Sequence, residues 1–273
     1  VLISAHFTDK AVDLSTYMPK WTPDLILCRG GFDYYDTFLR RYPQTPKVYY
    51  GAGTRIYPTS SYTDYACFLV DTDAQRDMVR SKTHAKVSKI IKPAATLFAP
   101  VYGTEKTYDV AFMANAAQYK LKRHEFFLRA MAGRGLSILM IGNKRKNICD
   151  LATSLGLDVT WAGWHLRKDL PALLSSCKMG AICTTSRDSC PRVIPEYLAC
   201  GLPFVATKNM NFDHKRYTNG GLGGIIVDEK VFGGAVAEVA ASYTTYRPYH
   251  TYTEKLAMPV AVRRLVKILK GIL

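Results

Sequence analysis

Asp188 and Glu196 stand eight residues apart in the segment AICTTSRDSCPRVIPEYLACGLPFVAT, residues 181–207. An ionised carboxylate only accepts hydrogen bonds, so this pair suits a ligand rich in O–H donors, such as a sugar. The residues between them suit a second kind of group. The pattern predicts a strand ending near Cys183, a polar loop from Thr184 to Pro191, and a helix beginning close to Arg192. The first turn of a helix carries unpaired N–H groups and the positive end of the helix dipole. The backbone near Arg192 and Val193 is therefore a candidate anion site. A loop of small residues at the carboxyl end of a parallel strand is where such folds bind ligands.

The elements that must position this loop are legible as short apolar runs alternating with helical patterns, the signature of an α/β fold with parallel sheets. In the first half the predicted strands are 1–5, 24–28, 47–50, 66–70 and 89–91, with helices at 34–41 and 74–81. The pair Asp71-Thr72 offers the second of these helices an N-cap. In the second half strands are expected at 109–113, 137–141, 159–162, 179–183, 203–206 and 224–227. Helices are expected at 123–132, 148–155, 170–175, 193–200 and 235–242. Phe126, Phe127, Ala130 and Met131 share one face of the first of these and should pack on the sheet. Residues 93–107, with two prolines, a glycine and no periodicity, read as a linker. From Pro259 onward, Val262, Leu265, Val266, Leu269 and Leu273 share one face of a terminal helix. Arg263, Arg264, Lys267 and Lys270 lie mostly on the other. This helix is expected to dock on its own protein; the alternative is contact with an anionic membrane surface.

The motif region resembles the signature of the retaining GT-B-fold glycosyltransferases of family four, in which E-x7-E is followed by A-x-G-x-P. Glu196 matches the second Glu, Ala199, Gly201 and Pro203 match the A-x-G-x-P, and Asp188 replaces the first Glu. The resemblance implies that Glu196 binds the nucleotide ribose, Asp188 contacts the transferred sugar, and the amides near Arg192 and Val193 bind the diphosphate. It extends over most of residues 86–240. YDVAFMANAAQYKLKRHEFFLRAM is similar to the opening of the family's second domain, where an Arg and a Lys precede the first helix. Lys122 falls on that Lys, whereas Asn115 stands where the family usually has Arg, with Lys120 or Arg123 as substitutes. Such a cation offsets charge on a leaving diphosphate. Gly163, Trp164 and His165 fall in the loop that lies by the base, and Trp164 is expected to stack on it.

The expectation is thus a GT-B-type chain of two Rossmann-like domains facing a cleft. Residues 1–100 form a short or truncated acceptor-side domain, 108–257 a nucleotide-sugar domain, and 258–273 a terminal amphipathic helix. The chain has 273 residues and opens on VLIS without a starting Met, so an N-terminal piece removed or left out is expected. The implied activity is transfer of a sugar from a nucleoside diphosphate sugar, UDP or GDP first among them, to a hydroxyl, with retention of configuration. The expected acceptor is a glycan or a lipid-linked or protein-linked group. Alternatives are a GT-B-type nucleotide-sugar epimerase, or a basic nucleic-acid- or membrane-surface-binding module with a vestigial nucleotide site. The net charge of +15 favours anionic partners, and peripheral contact with an anionic membrane is kept as an expectation; nucleic acid is not an expected partner.

Weaker candidates lie in the first half. Cys28-Arg29-Gly30-Gly31 follows a strand, so Arg29, Gly30 and Gly31 are acceptor-side candidates, as is His6 near a strand end. The tyrosines of residues 49–65 could wall an acceptor site, though packing is their commoner use. Seven dispersed cysteines without zinc or disulfide spacing read as reduced thiols in a cytoplasmic protein. No D-x-D motif stands at a strand end, so neither a catalytic metal nor a cofactor is expected, and no apolar run reaches membrane-spanning length.

Overall fold

The computed structural model describes residues 21–29, 38–51, 62–188 and 191–273. The chain divides into two units, residues 1–90 with 263–273, and residues 91–262.

Among the described residues the first unit is built on four parallel strands in the order β1 (Ile26–Arg29), β2 (Lys47–Tyr50), β3 (Cys67–Val70) and β4 (Lys86–Lys89). The last differs from the expected 89–91. The apolar pair that suggested a strand there is split: Ile90 packs against the first unit's cluster, whereas Ile91 is buried in the core of the second. Helix Asp73–Arg80 opens on Thr72, whose hydroxyl accepts from the Gln75 N–H while the Gln75 side chain accepts from the Thr72 N–H. This reciprocal cap satisfies two otherwise orphaned donors. Residues 263–270 of the terminal helix Met258–Lys270 dock in this unit, with Leu265, Ile268 and Leu269 against Val48, Cys67 and Leu69. Arg264 Nε donates to the Lys89 carbonyl at 2.8 Å. The docked stripe is a correction to the expected one: Val262, Val266 and Leu273 are exposed.

The second unit holds six parallel strands: β5 (Tyr108–Met113), β6 (Ser137–Ile141), β7 (Asp158–Gly163), β8 (Cys177–Ile182), β9 (Phe204–Thr207) and β10 (Gly224–Val227). Their spatial order is β10-β9-β8-β5-β6-β7. The chain runs outward from β5 through β6 to β7, then returns to lay β8 on the other side of β5. This is the doubly wound Rossmann order, and its topological switch point lies between β5 and β8. Alternate residues on each strand enter separate cores on the two faces. Ala111, Leu139, Ile141, Ile182 and Phe204 join one with Ile194 and Leu198 from helix Val193–Ala199. Val110, Phe112, Ile138, Met140 and Val205 join the other with Phe127 and Met131. Burial on both faces is why these strands read as unbroken apolar runs.

Residues 91–107 correct the linker reading. Ala94 and Phe98 are buried in the second unit's core, and the Val101 N–H donates to Ser175 Oγ at 3.0 Å. Lys106 Nζ bonds the carbonyls of Ser175 and Cys177. Two prolines gave this stretch a loop composition, while its spaced apolar residues anchor it.

Candidate functional site at the strand-order switch

At a switch point the loops leaving the two adjacent strands turn to opposite sides and open a crevice at the carboxyl edge of the sheet. Here the loop after β5 supplies Lys122, and the loop after β8 supplies Asp188. The sequence separates them by 66 residues, yet Lys122 Nζ meets Asp188 Oδ2 at 2.5 Å. About a fifth of each side chain remains accessible. The two loops are tied through the backbone as well, since the Thr185 N–H donates to the Leu121 carbonyl at 3.0 Å. The chain delivers Lys122 at the end of a one-turn helix, Tyr119–Lys122, which Arg123 breaks by adopting φ 55° before helix His124–Met131 begins.

Glu196 lies on helix Val193–Ala199 and is 7% exposed. Its Oε1 accepts from Arg167 Nη2 at 3.2 Å. Burial pushes its carboxyl above the ordinary glutamate range, and the positive charges of Arg167 and Arg192 pull it part of the way back. Arg192 is exposed, and Val193 is half-buried as the first helical residue. The N–H groups of Val193 and Ile194 have no backbone partner among the described residues, while Pro195 brings no N–H to this turn.

Tyr197 fixes the height of this helix above the sheet. Its hydroxyl accepts from the Met113 N–H at 2.9 Å and faces the carbonyls of Ala111 and Ala181 at 3.2 and 3.4 Å. It is therefore wedged where the β5–β8 ladder ends at Ala111 and Gly180. The ring lies on Gly180, where a Cβ would come within 2.3 Å of it, so that strand residue must be glycine. Gly142 has a similar constraint after β6: its φ is +137°, and a Cβ would sit 2.2 Å from the Ala114 carbonyl oxygen. Tyr197→Phe leaves the Met113 N–H without its partner. It is expected to lower unfolding free energy by about 1–3 kcal/mol, the cost of orphaning a buried donor. An unchanged urea midpoint and slope would show that the hydroxyl does not hold the wedge.

Other residues singled out in the sequence fall differently. Asn115 Oδ1 accepts from the Ala117 N–H at 2.9 Å, so it caps its own turn. Arg123 makes two hydrogen bonds to Glu229, at 2.6 and 2.7 Å, and lies 4.2 Å from the Phe126 ring centroid. Its guanidinium is thus engaged within the fold by Glu229. Lys120 is exposed and stands 6.0 Å from the centre of the Tyr119 ring. Gly163 ends β7 with φ 81°, Trp164 is 68% exposed, and the His165 ring nitrogen Nε2 lies 2.9 Å from the Ala162 carbonyl. Arg29 ends β1 with its guanidinium 5.6 Å from the Tyr50 ring centroid, while His6, Gly30 and Gly31 lie outside the described residues.

Arg167, Tyr197 and Gly180 were not found by sequence reasoning. A glycine inside an apolar strand signals close approach of another group, and that signal was present at Gly180. Among the described residues no cluster of three His, Cys, Asp or Glu side chains is placed to hold a metal ion. No described helix is long and apolar enough to cross a membrane.

Residues 107–242 match the family described as glycosyl transferases group 1. The match takes in β5 to β10 and all of the switch-point residues, so this stretch is similar to a group 1 glycosyltransferase domain, and the fold is of the GT-B type. Solved structures share that fold at low sequence identity. The pneumococcal O-GlcNAc transferase GtfA, in complex with UDP and GlcNAc, matches with a TM-score of 0.70 at 10% identity, over 91% of this chain and 56% of its own. Sucrose-phosphate synthase from Thermosynechococcus elongatus matches with a TM-score of 0.72 at 14% identity, over 93% and 74%. Anabaena HepE, in complex with UDP and glucose, gives 0.66 at 15% identity, over 91% and 78%. The chain thus spans little more than half the length of the first of these. No curated protein matches it in sequence.

Proposed function

We propose that the chain transfers a sugar from a nucleoside diphosphate sugar to an acceptor hydroxyl, with retention at the anomeric carbon. The observation that carries this reading is the meeting of Lys122 and Asp188 at the switch point, with the buried Glu196 eight residues beyond Asp188 in the same segment. In the structure the two charges answer each other. A nucleotide sugar can take up both, its diphosphate against Lys122 and a sugar hydroxyl against Asp188, so the pair opens without stranding either charge. Glu196 accepts from the ribose hydroxyls, the amides of Val193 and Ile194 face the diphosphate, and the exposed ring of Trp164 stacks on the base. The glycosidic C–O bond to the diphosphate breaks as the acceptor oxygen bonds to the same carbon. The departing phosphate oxygen takes the acceptor's proton, and Lys122 offsets its charge.

The GtfA and HepE complexes contain UDP, which makes UDP the first nucleotide to try; a glycan or a lipid-linked or protein-linked group is the proposed acceptor. A thermal-shift series with UDP, GDP, ADP and dTDP is expected to give a rise in Tm for one of them. A ligand present at a hundred times its Kd stabilises by about 2.7 kcal/mol. If none of the four moves the Tm, the donor site is lost from the proposal. With a working donor, NMR of the product linkage tests retention, and an inverted linkage removes that part.

A further inference from the structure

Glu196 is a buried carboxylate met by a long side chain from a different loop. Arg167 lies in the turn between β7 and helix Leu170–Ser175, 29 residues before Glu196, and its guanidinium reaches Oε1 through Nη2. The partners differ in exposure: the Arg167 side chain is half exposed, whereas that of Glu196 is 9% exposed. Oε2 accepts no hydrogen bond among the described residues, and it is not among the sealed polar atoms that lack a partner. One carboxylate oxygen is thus held by the arginine, and the other is held by none of the described residues.

We infer that Arg167 is a positioning residue of the donor site, holding Glu196 turned and charged so that its open oxygen accepts from a nucleotide ribose. The inference rests on the reading of Glu196 as the ribose contact. Two physical needs converge on it. A lone glutamate rotamer at a helix start is one of several, and a single charged hydrogen bond selects one. A carboxylate that has left water also tends to take up a proton, which would turn an acceptor-only group into one that donates. The charged groups acting on Glu196 are Arg167 from the β7 loop and Arg192 at the start of its own helix. Among the described residues the two arginines favour its charge, and of these Arg167 bonds it. Sequence spacing does not disclose this role, because a solvated charge in a loop looks the same.

The test compares binding of UDP and 2′-deoxy-UDP, or GDP and 2′-deoxy-GDP if the thermal-shift series selects guanine, by calorimetry. The proteins are wild type, Arg167→Met, Arg167→Lys, Glu196→Gln and the Arg167→Met/Glu196→Gln double variant. Wild type is expected to prefer the ribose form. Arg167→Met should bind it about tenfold more weakly, the scale of one partly exposed charged hydrogen bond, and should lose most of the ribose preference. The defect should deepen as pH falls, because Glu196 then protonates earlier than in wild type. Arg167→Lys keeps the charge and should retain the wild-type pH limb. In the Glu196→Gln background, Arg167→Met should change Kd less than about twofold, since its effect passes through the carboxylate. If Glu196→Gln weakens binding while Arg167→Met keeps wild-type affinity and ribose preference, Arg167 has no such role and the ribose reading stands. A full Arg167→Met effect in the Glu196→Gln background likewise overturns the inference. If wild type binds no ribonucleotide, both readings fall together.

Discussion

Glu196→Ala is expected to lower donor kcat/KM by about a hundredfold or more while leaving the fold intact. A hydrogen bond to a charged group contributes about 1.5–3 kcal/mol, and a ribose brings up to two such donors to one carboxylate. Losing about 3 kcal/mol corresponds to roughly a hundredfold. Competing effects on stability are smaller. Arg167 is half exposed, so removing its partner returns it to water and does not strand a buried cation.

The same residue has a stability signature of opposite sign. Burial raises the Glu196 pKa in the folded state, so folding favours the protonated form. The ionised side chain therefore destabilises the fold, and the penalty develops as pH rises from the ordinary glutamate value of 4.5 through the raised one. Glu196→Gln, which keeps shape and removes the charge, should be at least as stable as wild type at neutral pH, with the difference vanishing in acid. A site held against its own stability is what a binding role requires. Near-normal turnover by Glu196→Ala, or a clear loss of stability at neutral pH in Glu196→Gln, would argue for a structural carboxylate.

What the sequence disclosed and what it hid follow from the range of the interactions. Strands β2, β6 and β10 lie where their apolar runs predict, because burial on both faces writes itself into consecutive residues. Glu196 was legible because a local spacing and a helix start sit within one segment. The pairing of Arg123 with Glu229 was not: the two are 106 residues apart, and only the strand arrangement joins them. The short helices His214–Thr218 and Pro248–Lys255 went unread. The terminal helix shows another limit. VRRLVKILKGI carries two apolar stripes, one through Val262 and Val266 and one through Leu265, Ile268 and Ile272, and a helical wheel alone does not choose between them. Contact with Val48, Cys67 and Leu69 in the first unit made the choice.

Lys122→Ala is expected to reduce kcat by about 10²–10³-fold, the scale on which removing one donor to a developing oxyanion acts, with a smaller change in KM. The lysine meets the diphosphate in both ground and transition states, but the charge it offsets grows as the glycosidic bond breaks, so the loss concentrates in kcat. A second consequence separates this role from a structural one. Lys122→Ala leaves Asp188 facing the crevice without its countercharge, and that carboxylate would then repel the incoming diphosphate. Adding Asp188→Asn removes the repulsion, so the double variant should bind nucleoside diphosphate better than Lys122→Ala alone. Turnover should stay low, because both the sugar contact and the cation are gone. Lys122→Arg restores a charge but presents a planar fork in place of a compact ammonium, and only partial recovery is expected. A Lys122→Ala enzyme within threefold of wild-type kcat would remove the lysine from the chemistry and leave its pairing with Asp188 as a strap between the β5 and β8 loops.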